Sequence, residues 1–175
     1  RYVGVAAGAR AADLAARRDR VMLTEFDRRV LPEDGLDFVR RCQANVACHL
    51  GGGCALSGAW LQHRLSHDID IFCHDRTEHR RLVSQLAAIA SAASIPFALK
   101  RDAGTFVRAE LELADRTMAL DIVYDATSDL APATLIEAVA VVSSTDLRAS
   151  KLTCILSRSE PRDLVDILFV ERAGH

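Results

Sequence analysis

Apolar and polar residues recur along the chain with two different periods, and each change of period marks an element. Residues 11–30, rich in Ala, Leu and Arg, predict an amphipathic helix that Pro32 stops. A second helix is predicted over 34–43. A short apolar run at 45–50 leads into Gly51-Gly52-Gly53, after which 54–62 returns to helical spacing: strand, glycine turn, helix. Strict alternation then governs His67-Asp68-Ile69-Asp70-Ile71-Phe72-Cys73, the mark of a half-buried strand. Residues 77–93 put Leu82, Leu86, Ile89 and Ala90 on one helical face. Three strands are predicted over 97–101, 105–113 and 117–124, with hairpin turns at 102–104 and at Asp115-Arg116. Helices over 146–157 and 161–171 close the chain. The pattern predicts an α+β domain, a small mixed sheet flanked by helices. It divides into N-terminal helices (1–44), a core (45–130) and a C-terminal helical segment (131–175) packed on that core.

Composition narrows the function classes. With 175 residues and half of them hydrophobic, one domain with a sizeable core is expected. The formal net charge of −2 and pI near 6.3 argue against binding nucleic acid mainly by bulk phosphate neutralisation, although a local basic patch stays open. Arg17, Arg18, Arg20, Arg28, Arg29, Arg40 and Arg41 recur early in the chain, and a solvated helix face accounts for them. The five cysteines are odd in number and lack a CxxC pair, which fits a reducing compartment. No apolar run approaches the roughly 18–20 residues that span a bilayer, and no signal-peptide pattern opens the sequence. A cytoplasmic protein without a membrane partner is expected.

The chemistry concentrates in a few acids. Asp68 and Asp70, two apart on one strand, project to the same face roughly 6–7 Å apart, with Ile69 and Ile71 turned to the core. Two carboxylates so placed repel unless a cation lies between them, and Mg²⁺ prefers oxygen ligands in company with phosphates. Upstream, Gly52-Gly53 opens a helix, where bare backbone N–H groups and the helix N-terminus favour anions. Asp121 interrupts the apolar run Met118-Ala119-Leu120-Asp121-Ile122-Val123, and a carboxylate in such a run needs a metal, a partner or a chemical task. If its strand neighbours that of Asp68 and Asp70, three acids converge in the arrangement of two-metal phosphoryl transfer.

The segments Leu50-Gly51-Gly52-Gly53-Cys54-Ala55-Leu56 and His63-Arg64-Leu65-Ser66-His67-Asp68-Ile69-Asp70-Ile71-Phe72 resemble the AbiEii/AbiGii-type nucleotidyltransferase toxins. So does the distal pair Lys151-Leu152 and Pro161-Arg162-Asp163-Leu164-Val165-Asp166-Ile167. The resemblance runs from about residue 46 to 170 in the family's order and implies a polymerase β-like nucleotidyltransferase core. It implies Gly52 and Gly53 cradling a triphosphate, and Asp68, Asp70 and Asp121 holding Mg²⁺, as two ions, or Mn²⁺ in their place. It further implies Arg64, Ser66 and Lys151 toward the nucleotide phosphates, with Asp163 completing the catalytic set. The reaction implied is transfer of a nucleotidyl group from an NTP to an acceptor, an RNA such as tRNA or a protein, by the toxin of a toxin–antitoxin pair with a cognate antitoxin. A non-catalytic interaction module and a small-molecule transferase of the aminoglycoside type are the alternatives. Two departures stand out: Cys54 where the family usually has Thr or Ser, and few residues after the PRDxxD segment, where members commonly carry a longer helical part.

Blander explanations compete at several positions. Asp163, in the first turn of a helix begun by Pro161, suits the helix dipole. Asp166 one turn on along the same face can equally be solvated, and Lys151 can be a surface residue. Trp60 is expected in the core. His63, His67, His74 and Cys73 suggest zinc, but a helix ending near Gln62 removes the i,i+4 geometry.

Overall fold

In the computed structural model of the chain, residues 25–158 and 160–174 are described. The part of the expected first helix before residue 25, with Arg17, Arg18 and Arg20, lies outside them. Its described end is not helical: Arg28 to Val30 form a turn closed by the N–H groups of Val30 and Leu31 on the Asp27 carbonyl. Helix α1 (Glu33–Asn45) follows Pro32 and buries Leu36, Phe38, Val39 and Cys42.

Strand β1 (His49–Gly51) runs into α2 (Gly52–Ala55), which continues as a π-helical stretch over Leu56–Leu61 and ends at Gln62 in the left-handed region. Trp60 on this stretch is buried and donates from Nε1 to the Val142 carbonyl at 3.1 Å, the core role expected of it. Strand β2 (Asp68–Cys73) alternates as its sequence does, with Ile69, Ile71 and Cys73 buried. The Asp75 side chain caps α3 (Arg76–Ala92) by accepting from the N–H groups of Thr77 and Glu78. Strands β3 (Phe97–Asp102), β4 (Phe106–Glu112) and β5 (Thr117–Tyr124) form the expected meander.

The sequence reading assigns no strand after Tyr124, yet β6 (Thr134–Ile136) and β7 (Val139–Val141) form a hairpin that adds two strands to the sheet. Its turn residues, Glu137 and Ala138, both have positive φ, the geometry usually signalled by Asn-Gly. Arg28 fixes Glu137 from outside, donating to its two carboxylate oxygens at 2.8 and 3.2 Å, and Arg40 donates to its carbonyl. The other described arginines of that set are also engaged, Arg29 with Asp27 and Arg41 with Asp37. Helices α4 (Ser144–Ser157) and α5 (Pro161–Ala173) follow and pack on each other and on the π-helical stretch Leu56–Leu61.

The seven strands make one mixed sheet in the order β3-β4-β5-β2-β1-β7-β6. Strands β2 and β5 are parallel neighbours, and their register sets Asp70 beside Asp121; antiparallel β1 sets Gly51 on the other side of Asp70. Ile69, Ile71, Leu50, Leu120 and Ile122 share the opposite face and are fully buried, with α3 against β2 and β5 and α1 against α3. The sheet therefore has one sealed face and one acidic face. No helix among the described residues is long and apolar enough to cross a membrane.

Candidate active site

The floor of the site is the strand-to-helix turn. Gly52 has φ +60°, and a Cβ there would lie 1.8 Å from Oδ2 of Asp70. A Cβ on Gly53 would lie 2.9 Å from a terminal guanidinium nitrogen of Arg64 and 3.1 Å from Oγ of Ser66. The two glycines thus let the backbone approach an acid on one side and a cation and a hydroxyl on the other. The N–H of Gly53 faces the Asp70 carboxylate closely enough to favour its ionised form.

Asp68, Asp70 and Asp121 occupy the same face of adjacent strands, as their periodicity requires. Burial, then the charges of Asp121 and Asp68, push the Asp70 pKa up to about 6, while Lys151 and the Gly53 N–H oppose the rise. Asp121 is not bare. Arg108 on β4, its partner in register, donates to both its oxygens at 2.7 and 2.5 Å. Asp68 has Arg162 of α5 3.7 Å away. Cys54 is fully buried, and its thiol is pushed up first by burial and then by Asp70 and Asp68.

A second layer stands behind Arg64. Asp166, which the sequence leaves open between a site residue and a solvated one, is fully buried and is the hub of this layer. It accepts from Arg64 at 2.6 and 2.8 Å, lies 2.7 Å from Nε2 of His63, and pairs with Lys151 at 2.8 Å. Burial alone would raise its pKa, but the hydrogen bonds from Arg64, His63 and Lys151 outweigh it and hold the carboxyl far below its usual range. Asp163 is equally buried, 2.9 Å from Lys151 and 3.1 Å from Arg158, and its pKa is likewise lowered by those partners against the effect of burial. Its helix-dipole position is therefore the lesser part of its environment. Lys151 is not a surface lysine: it is buried between two carboxylates and reaches Asp70 only through its field.

Reading the sequence alone missed Arg108 and Arg158, and it weighed His63 only as a zinc ligand, not as a partner of Asp166. Arg108 was accessible in principle, since the Asp115-Arg116 turn sets the hairpin register that brings it opposite Asp121. The residues of the suggested zinc set do not converge: His63 is taken by Asp166, Cys73 is buried, and His67 is exposed.

Residues 39–175 match the model of the nucleotidyl transferase AbiEii toxin family of type IV toxin–antitoxin systems. The chain belongs to the AbiEii family. Its fold is that of nucleotidyltransferases. Among solved structures it is similar to JHP933 from Helicobacter pylori (TM-score 0.58, 21% identity, 78% of this chain and 63% of that one). A candidate nucleotidyltransferase from H. pylori is similar to a like extent (TM-score 0.57, 22% identity, 78% and 65%). The Megavirus polyadenylate synthase is similar over 99% of this chain and 38% of its own, with TM-score 0.55 and 12% identity. This AbiEii-family chain thus spans less than two thirds of the length of each. No curated protein matches it.

The donor set of this AbiEii-family chain suits a hard divalent cation. Asp70 is crowded by two like charges in an enclosed place, which is the condition a cation relieves. All three side chains offer oxygen, and in this structure Arg108 holds both oxygens of Asp121.

Proposed function

We propose that this AbiEii-family chain is a Mg²⁺-dependent nucleotidyltransferase that moves an NMP group from an NTP to an acceptor. The observation carrying this reading is Asp70, set between Asp121 and Asp68 with Gly52 against its carboxylate. Asp68, Asp70 and Asp121 would hold Mg²⁺, which supplies Lewis-acid polarisation of the phosphoryl oxygens. Gly52 and Gly53 would let the triphosphate approach the backbone, with Ser66 and the Asp166-clamped guanidinium of Arg64 beside it. Asp163 and Asp166 act as positioning residues for Lys151 and Arg64.

In the transfer, an acceptor oxygen forms a bond to the α-phosphorus, the bond from that phosphorus to the pyrophosphate oxygen breaks, and the acceptor proton passes to a carboxylate of the acidic face. Such catalysis rests on positioning and charge stabilisation. The acceptor class proposed is RNA such as tRNA, with protein next, and a cognate antitoxin is the proposed partner of a cytoplasmic toxin.

Incubation with each α-³²P-labelled NTP, Mg²⁺ and bacterial RNA tests the reading. Label should enter RNA with the wild-type protein and not with Asp70→Asn. Label retained with Asp70→Asn would overturn the assigned roles. A second reading, a binding module without turnover, is favoured by the grip of Arg108 on Asp121, which occupies one of the three acids. Calorimetry separates the two, because the module reading requires no binding of Mg²⁺·NTP.

A further inference from the structure

Beyond the acidic face, three side chains from separate parts of the chain meet near the start of β1. His49 begins β1, His74 follows β2, and Asp129 lies in the connection between β5 and β6. One potential ligand atom of each lies within 4.8 Å of the other two. Nε2 of His74 is 3.2 Å from Oδ1 of Asp129, and Nδ1 of His49 is 3.7 Å from Oδ2 of the same carboxylate. The register puts His49 opposite Phe72, two residues beyond Asp70, so the cluster is separate from the Asp68, Asp70 and Asp121 group.

The hydrogen bonding of His74 decides what this cluster can do. Its Nδ1 lies 3.0 Å from the Asp125 carbonyl, which can only accept, so Nδ1 carries the proton. In the neutral ring Nε2 then presents a lone pair toward the Asp129 carboxylate. Nε2 of His74 and Nδ1 of His49 are both shut off from solvent with no hydrogen-bond partner among the described residues. Two ring nitrogens face one carboxylate without hydrogen-bonding it, an arrangement that a positive centre among the three would complete. Burial lowers the pKa of His49, which favours the neutral ring that a metal ligand must be.

The spacing fits a metal of the zinc class. With bonds of about 2.0–2.1 Å, tetrahedral ligand atoms stand roughly 3.3 Å apart. His74 stands 3.2 Å from one Asp129 oxygen and His49 3.7 Å from the other, with a ligand atom of each residue inside 4.8 Å of the rest, so side-chain rotation brings them to that separation. A backbone carbonyl orienting the outer nitrogen of His74 is the usual second partner of a metal-bound histidine. Two imidazoles favour a transition metal over Mg²⁺.

We propose that His49, His74 and Asp129 form a zinc site distinct from the acidic face. His74 and Asp129 line a cavity of about 450 Å³ that also touches Gly51, Gly52, Phe72 and Asp125. Bound zinc ties the loop carrying Asp129 to the edges of β1 and β2 and so fixes one wall of that cavity. The position left open by three ligands is available to water or to an anionic group entering the cavity.

Titration of metal-free protein with ZnCl₂ in a large excess of Mg²⁺, which saturates the acidic face, tests the proposal. The wild type should bind one equivalent, with X-ray absorption reporting two imidazole ligands. His49→Ala, His74→Ala and Asp129→Asn should each lose that equivalent or weaken it by about 100-fold or more, beyond what loss of an outer partner costs. His67→Ala, at an exposed histidine, should leave it intact. Asp129→Asn changes only a loop side chain, and a melting curve without zinc matching the wild type confirms that it folds. Absence of zinc binding in the wild type overturns the proposal. So does an equivalent that survives in both His74→Ala and Asp129→Asn, or an absorption spectrum without imidazole.

Discussion

Gly52 lies against Asp70 so closely that a methyl group on its α-carbon would sit 1.8 Å from Oδ2 of the carboxylate. Its φ of +60° is a second, independent reason for glycine. Gly52→Ala is therefore expected to cost about 1–3 kcal/mol from backbone strain alone, measured by urea unfolding. It should also abolish nucleotidyl transfer, because Asp70 must move to admit the methyl group.

The stability of the metal-free protein should report Asp70 directly. Its pKa of about 6 lies above the ordinary carboxylate value, so folding penalises the ionised form. That penalty is complete above pH 6 and fades as the pH falls toward the ordinary carboxylate range. Asp70→Asn should therefore melt higher than the wild type well above pH 6 in EDTA, and the gap should close on acidification. A gap independent of pH would contradict this.

Asp166 answers the charges of Arg64 and Lys151 from a fully buried position. Asp166→Ala is expected to destabilise the fold by about 3–5 kcal/mol, the cost of stranding buried charge, read from denaturant midpoints. Because its folded pKa is depressed, the stabilisation is present above the ordinary carboxylate pKa and is lost as the pH falls below it.

Arg108 is half exposed and holds Asp121 by two hydrogen bonds. Arg108→Gln removes a positive charge that competes with a metal for that carboxylate. The Mn²⁺ affinity of the acidic face should rise on the order of 10-fold, followed by the electron paramagnetic resonance of free Mn²⁺. Unchanged or weaker binding would mean that Arg108 is not the competitor.

Ala138 has φ +62° in the β6–β7 turn. Ala138→Gly relieves a left-handed Cβ and should stabilise the protein by about 0.5–1 kcal/mol in the same urea assay.

Where local pattern and tertiary need agree, the sequence is legible. The alternation of Asp68 to Cys73 and the apolar run around Asp121 give β2 and β5 within a residue, and the glycine turn is found where the composition puts it. The β6–β7 hairpin is hidden because Glu137-Ala138 carries no turn chemistry of its own and relies on Arg28 and Arg40, about a hundred residues away. Asp166 is hidden for a related reason. A polar residue on an amphipathic helix reads as solvated, and only the arrival of His63, Arg64 and Lys151 makes burial affordable. The His49, His74 and Asp129 cluster likewise has no spacing to betray it, being gathered from three loops and strand ends.

The clamp on Arg64 spans 102 residues of chain. During synthesis the glycine turn, the three acids and Arg64 itself leave the ribosome well before Asp163 and Asp166. A growing polypeptide carries every carboxylate of the acidic face while its guanidinium still lacks the anchor that aims it. Order of emergence thus separates the making of the site from its arming, because the helix that arms it arrives after both the acids and the guanidinium.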